Sequence, residues 1–424
     1  NDDTDGNDMD ILIKANNEAL DIKIYNYGTI DVDGNSAIFV PNNEDNDGDG
    51  VGAYIYNSGK ITAGKAYTIR YHNSDLTKID NYGTITNTNK TGQTFLGHGD
   101  TNTTINNYSS GTISVSASNG RYAIHTTESG GDAFSTNTTI NNWGTITAPK
   151  ETISLGISST INNYGSIISE DPDKHSILNK GNNNKVNLYD GTILVGYLDA
   201  ESTSGSTLNL DLCSSYYFKT SGTWTVNDNS SCGTLLYSDD YAQSVSALSQ
   251  SIADEISSLK VDHINETFNY ANKEINKNKE FVYLTNTYAD RDNGRPVDKF
   301  ASHKNNMTIG LPINNNNYSA HQIINFSSNH INLLNLNISS SDYQFGFIFN
   351  ELKSFKKNKI GLKTVLGYHN YNSKRSQLNN TVSSGKKLIE TDYHSLSSAL
   401  GTQLQGNYND GYFKSNLDFI FERF

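Results

Sequence analysis

One heptapeptide, Ile-x-Asn-Tyr-Gly-Thr-Ile, returns along the first half of the chain and limits its fold more than any other feature. It reads IYNYGTI from Ile24 to Ile30, IYNSGKI from Ile55 to Ile61, IDNYGTI from Ile79 to Ile85, INNWGTI from Ile140 to Ile146 and INNYGSI from Ile161 to Ile167. An expanded copy, INNYSSGTI, occupies Ile105 to Ile113, and a degenerate VNLYDGTI follows at Val186 to Ile193. Successive copies begin 31, 24, 26, 35, 21 and 25 residues apart, so the motif is kept while the connections vary. A second short apolar run lies between copies, as in Ala37-Ile38-Phe39, Tyr67-Thr68-Ile69, Phe95-Leu96 and Ile153-Ser154-Leu155. Pieces this short, β-branched and punctuated by Asn and Gly, predict strands and turns without a helical period.

A strand with one inward Ile buries too little to be stable alone. Coils of about 25 residues, stacked roughly 4.8 Å apart, align Ile on Ile and bury a continuous core. The expected fold is therefore all-β, beginning with a right-handed parallel β-helix solenoid over residues 1–185. Asn162 and Asn163 with their equivalents are expected to form amide ladders, and Tyr27, Tyr82, Tyr108, Trp143 and Tyr164 an aromatic column. Gly28, Gly59, Gly83, Gly111, Gly144 and Gly165 are expected at a corner with positive φ. A flat sandwich of similar strands is disfavoured, because it has no reason to reuse one heptapeptide at irregular intervals.

Composition narrows the partners. Hydrophobic residues make up 35% of the chain and charged residues 18%, so its polarity is largely that of amides. The net charge of −13 offers no general attraction for a phosphate backbone, and no nucleic-acid partner is expected. The first 240 residues carry −16 and the remainder +3, which implies two different bodies. No apolar run reaches the length of a spanning helix, so membrane insertion would have to use strands. Nothing at the start resembles a signal peptide, and the chain is expected to begin inside a longer precursor.

Residues 186–240 read as a cap over the exposed end of the stack, with Leu208 to Leu212, Tyr216 to Phe218 and Thr223 to Val226 alternating like hairpin strands and Trp224 as the cover. Cys213 and Cys232 fit either a disulfide in an oxidising compartment or two buried thiols. From Ser238-Asp239-Asp240, Tyr241, Val245, Leu248, Ile252, Ile256 and Leu259 recur at three- and four-residue intervals and predict an α-helix within a 241–280 linker. Beyond residue 280 the strands lengthen. Tyr343 to Phe349 carries aromatics at its odd positions, and Ile360 to Tyr368 carries apolar residues or Thr at its even ones, with Gly and Lys between. Leu396 to Leu404 and Phe413 to Phe421 alternate similarly, and Phe281 to Thr287, Met307 to Leu311 and Ile323 to Phe326 complete seven candidates. Apolar outward with Gly and polar inward is the pattern of a transmembrane barrel strand. Seven strands are too few and odd in number, so residues 281–424 are expected to be an incomplete antiparallel β-barrel, cut short at its end.

Repeated Asn-Tyr-Gly-Thr-Ile coils, a cap at Ser221-Gly222-Thr223-Trp224-Thr225-Val226, a polar helix and then amphipathic strands, in that order, resemble a single-chain (type V) autotransporter of a Gram-negative bacterium. The resemblance covers essentially the whole chain. It implies a surface passenger, an autochaperone-like cap, a helix in the pore and an outer-membrane translocator that contacts lipid and depends on outer-membrane assembly machinery. The expected location is the outer membrane, with the passenger at the cell surface or shed, and the expected role is adhesin-like contact with a glycan or another cell surface.

The passenger shows no catalytic motif. Gly-Asp-Ser-Gly is absent, Gly130-Gly131-Asp132-Ala133 lacks a nucleophile, and His125 reads as a coil-surface side chain. Arg70 and Arg121 are the passenger's only Arg, with no acidic cluster assignable beside them for a lyase. A glycan-cleaving passenger and a phage tail fibre are the weaker alternatives, and no enzyme is expected. The one local metal motif is Asp45-Asn46-Asp47-Gly48-Asp49-Gly50, where Asp45, Asp47 and Asp49 match the start of a Ca²⁺ loop, although Tyr56 stands where its bidentate Glu belongs.

Overall fold

The Asn-Tyr-Gly of each motif is a corner between two strands. In the computed structural model, which describes residues 11–14, 22–34, 36–40, 52–72, 74–120, 122–127, 134–201, 204–230, 233–246, 279–291, 300–315, 318–333, 336–355, 358–408 and 411–423, the two Ile of one motif belong to two different sheets. The strand Thr139–Asn142 ends at Asn142, and Thr145–Ala148 begins after a gap of two residues. With the intervening apolar run as the third strand, the solenoid has three parallel sheets. Ile55, Ile79, Ile105, Ile140, Ile161, Val186 and Leu208 are successive partners in the first. Ile61, Ile85, Ile113, Ile146, Ile167 and Leu194 are partners in the second, and Ile38, Ile69, Phe95, Ile124, Ile153, Ile177 and Leu198 in the third. All of these side chains are buried in one core.

The corner Asn explains how a polar residue can recur inside such a core. Asn26 donates its amide to Asn57, Asn57 to Asn81, Asn81 to Asn107, Asn107 to Asn142 and Asn142 to Asn163, each at 2.7–2.8 Å, and Asn163 ends on the Thr192 hydroxyl at 3.1 Å. A buried amide loses stability only when it lacks a partner, and these have one in each neighbouring coil. A second ladder runs the other way: Asn227, Asn209, Asn187, Asn162, Asn141 and Asn106 each donate to the coil before, and the line ends on the Asp80 carboxylate at 2.7 Å.

The glycine column is needed for a different reason from positive φ. None of Gly28, Gly59, Gly83, Gly111, Gly144 and Gly165 has a left-handed backbone. Instead, a Cβ at Gly83 would lie 2.0 Å from the carbonyl oxygen of Gly59, and one at Gly144 would lie 2.2 Å from that of Gly111. Coil-to-coil contact at the corner therefore excludes a side chain.

Parallel pairing continues further than expected. Thr207–Asp211, Tyr216–Gly222 and Thr225–Asp228 stack on preceding coils in parallel, so they extend the solenoid and are not hairpin strands. The hairpin is Gly233–Ser238 with Tyr241–Ser246, which also pairs antiparallel with Tyr216 to Lys219. The predicted helix is thus corrected over Tyr241–Ser246, which is a strand. Ala242 and Ser244 turn inward there, and hydrogen bonds to two strand edges outweigh the helical spacing of Tyr241 and Val245. The later helix positions lie outside the described residues. Trp224 is buried as expected, and its carbonyl accepts the Tyr237 hydroxyl at 3.1 Å. Cys213 is disulfide-bonded, and the chain's other cysteine is Cys232.

The chain divides into two compact units, one of Asn1–Ser246 with Gln377–Lys387 and one of Ala247–Ser376 with Leu388–Phe424. Within the first, Asn380 is fully buried and clamps backbone: its Nδ2 donates to Gly196 O at 2.9 Å and Lys219 O at 3.0 Å, and its Oδ1 accepts from Lys219 N at 2.7 Å. The second unit holds long strands: Phe281–Arg291, Phe300–Asn315, Tyr318–Leu333, Leu336–Phe355, Gly411–Arg423 and all but the ends of Asn358–Asn379 and Lys386–Tyr408, which fall in the first unit; its strand pairings are antiparallel. Each contains one of the seven sequence candidates. No closed barrel is formed by the described residues.

Candidate functional site

The long strands of the second unit are built inside out for a protein in water. Along Asn358–Asn379, Leu366 is 62% and Tyr368 41% exposed, while Lys363 is 1% exposed and His369 fully buried. On Leu336–Phe355 the aromatics Tyr343 and Phe345 are exposed, whereas Asp342 and Gln344 are buried. Leu396, Leu400 and Leu404 are likewise exposed, and Ser395 and Ser397 buried. The alternation follows from the pleat, which sends consecutive side chains to opposite faces. Its sign is what matters, because buried polar and exposed apolar together reverse the usual order.

The buried face is polar, and some of its groups bond one another. Asn325 donates to the Thr308 hydroxyl at 2.7 Å, and Asp342 Oδ2 accepts from the Ser327 hydroxyl at 3.1 Å. A cavity of about 600 Å³ is lined by Asn306, Ser327 and Asp342 together with Leu284, Met307, Phe326 and Tyr343. The apolar cluster on this face is small, Ile323, Ile348, Val365 and Ala399 with Phe281 against it. The exposed apolar band is far larger than that cluster, so this sheet has its main apolar surface facing outward. Among the described residues no helix is long and apolar enough to cross a membrane, a statement that does not bear on strands.

The solenoid offers a second surface. The aromatic column exists, and it gains Tyr56 and Tyr189 as further members. Tyr82 and Tyr108 stack with centroids 4.0 Å apart, Tyr108 and Trp143 at 5.6 Å, Trp143 and Tyr164 at 5.6 Å, and Tyr164 and Tyr189 at 4.2 Å. Ring faces are spent on neighbouring rings, so the column presents edges and hydroxyls to solvent. Parallel to it runs the outer amide ladder ending at Asp80. Tyr54 donates to Asp80 at 2.9 Å, and burial followed by that hydrogen bond pushes the Tyr54 hydroxyl up to about 12. The result is a straight polar and aromatic strip repeated once per coil.

Other sequence expectations resolve differently. His125 is not on the surface: it is 5% exposed, its Nδ1 faces Gln93 Oε1 at 3.0 Å, its Nε2 faces the Thr127 hydroxyl at 2.7 Å, and its ring stacks on Tyr122. Burial pulls it down to about 3, so it is neutral. Arg70 lies over Phe39 and Tyr67, a packing role. Asp45, Asp47 and Asp49, the Ca²⁺ candidates, lie outside the described residues, as do Arg121 and Gly130 to Ala133. Among the described residues no group of three or more His, Cys, Asp or Glu is arranged to hold a metal.

The sequence reading missed Asp100, which nothing local distinguishes from a turn residue. It is fully buried, and its Oδ1 accepts from Ser74 N and Ser74 Oγ, both at 2.9 Å, while its Oδ2 accepts from Ser135 Oγ at 3.3 Å. Desolvation outweighs these bonds and lifts its carboxyl from 3.8 to about 7. No family model matches the sequence, and no curated protein or solved structure matches it.

Proposed function

We propose that this chain is a self-exporting surface protein of the autotransporter kind, in which the long-stranded sheet is part of an outer-membrane barrel and the solenoid is the passenger. The observation that carries the reading is the reversed burial of the second unit: Leu366 and Phe345 exposed, Lys363 and Gln344 buried. Lipid is the solvent in which that arrangement is favourable, and a wet lumen suits the polar face. The solenoid is right-handed in this reading.

The passenger acts without catalysis, as an adhesin-like rod. Its outer amide ladder and aromatic edges supply repeated donors and acceptors at one coil spacing, which suits a glycan or another polar polymer on a cell surface. Ca²⁺ at Asp45, Asp47 and Asp49 belongs to the same proposal on sequence grounds alone. Expressed in a Gram-negative host behind a secretion signal, the chain is expected in the outer-membrane fraction after a carbonate wash. It should migrate faster unheated than boiled. A soluble trimer with heat-independent migration would contradict the proposal and favour a fibre.

A further inference from the structure

On the buried polar face of the second unit, three side chains from three strands join in one line. Asp342 and His369 are register partners on neighbouring strands, and His369 Nδ1 lies 2.9 Å from Asp342 Oδ1. The other ring nitrogen, Nε2, lies 2.7 Å from Ser397 Oγ. A carboxylate only accepts, so Nδ1 donates to Asp342; in the neutral ring Nε2 then accepts the Ser397 hydroxyl. Asp342 is fixed in turn through its second oxygen by the Ser327 hydroxyl at 3.1 Å, the Ser340 hydroxyl at 3.3 Å and the Asn329 amide at 3.4 Å. His369, Asp342 and Ser397 are 0%, 4% and 5% exposed.

This is the connectivity of a nucleophile, a base and an orienting carboxylate, which is defined by geometry and not by sequence position. Gly367 lies beside that pair: a Cβ there would sit 2.5 Å from Ser397 Oγ and 2.9 Å from His369 Nε2, so a larger residue would crowd both atoms. Gln344, the register partner of Gly367, is also buried on this face.

We propose that Ser397, His369 and Asp342 form an acyl-transfer site that hydrolyses small, polar carboxylic esters. Ser397 Oγ bonds to the ester carbonyl carbon as its proton passes to His369 Nε2. The carbon–alkoxide bond then breaks, and the alcohol leaves with that proton. Water, deprotonated by His369, attacks the acyl-serine, releasing the carboxylic acid and restoring Ser397. Asp342 is the positioning residue, holding the ring so that Nε2 faces the hydroxyl. The size limit follows from the burial of all three side chains, and the polarity preference from Ser327, Asn329 and Ser340 around Asp342. The site needs only the folded second unit and does not depend on export or on the passenger's role.

The test is labelling of the full chain, folded in detergent micelles, with a fluorophosphonate, which bonds to an activated serine oxygen and expels fluoride. Peptide mapping is expected to find one rapid adduct, at Ser397, and none after heat denaturation. Ser397→Ala should abolish it, and His369→Gln should slow it by about 100-fold or more. Gly367→Ala should slow it by crowding the oxygen, and Asp342→Asn should change the pH profile of labelling, which a merely structural role would leave alone. p-Nitrophenyl acetate turnover should fall in parallel. Absence of a Ser397 adduct in folded wild-type chain, or equal labelling before and after denaturation, would overturn the proposal, and the wild-type chain alone decides it.

Discussion

Alanine at Gly83 or Gly144 is expected to destabilise the solenoid strongly, while alanine at Gly28 is expected to be tolerated. The three occupy the same place in the motif, so propensity cannot separate them. Contact does: a Cβ at Gly83 or Gly144 would sit 2.0 or 2.2 Å from a carbonyl oxygen of the previous coil, whereas one at Gly28 meets nothing within 4 Å. Relief would require separating coils whose strands on both sides of the corner are hydrogen-bonded in register. Overpacking against backbone of this kind costs about 3 kcal/mol or more, against less than about 0.5 kcal/mol for a substitution that touches nothing. Urea titration should show the midpoint falling for Gly83→Ala and Gly144→Ala and unchanged for Gly28→Ala. Equal losses at all three would mean that backbone conformation, not approach, fixes the column.

The second large effect is on pH dependence. The Asp100 carboxyl titrates at about 7 in the folded chain, against 3.8 for an unperturbed one. Between those values the unfolded chain has lost the proton that the native chain keeps, so stability falls as pH rises through this window and levels off above it. The shift corresponds to roughly 4 kcal/mol. In an Asp100→Asn variant the side-chain amide keeps an oxygen for Ser74, offers an N–H to Ser135 and does not ionise. The variant should therefore lack this pH dependence and exceed wild type in stability at pH 8. Thermal melts from pH 4 to pH 8 would show it; parallel curves for the two proteins would contradict the assignment.

What the sequence disclosed was whatever repeats. The Ile columns, the Asn ladders and the Tyr–Trp stack were legible because each coil states them again, and the long strands were legible because alternation of Leu366 and Tyr368 with Gly367 is local. Direction of pairing was not. Thr207–Asp211 alternates identically whether it stacks in parallel or folds back as a hairpin, and only the neighbouring coil decides. Tyr241 and Val245 stand four apart, a spacing that serves a helix face and, by parity, one side of a strand. His125 looked solvent-facing because a polar side chain on a short strand usually is; Gln93, Thr127 and Tyr122 make a buried place for it. Asp342, His369 and Ser397 stand 27 and 28 residues apart, distances set by strand lengths that no local pattern encodes.

Nitroxide labels placed singly at positions 361–370, in chain reconstituted into lipid vesicles, most directly examine whether the exposed apolar face meets lipid. Labels at Leu362, Thr364, Leu366 and Tyr368 should relax strongly with dissolved oxygen and weakly with a water-soluble nickel chelate, and labels at Gly361, Lys363, Gly367 and His369 should show the reverse. Nickel access at positions 364, 366 and 368 equal to that at their neighbours would place this face in water and contradict a membrane wall.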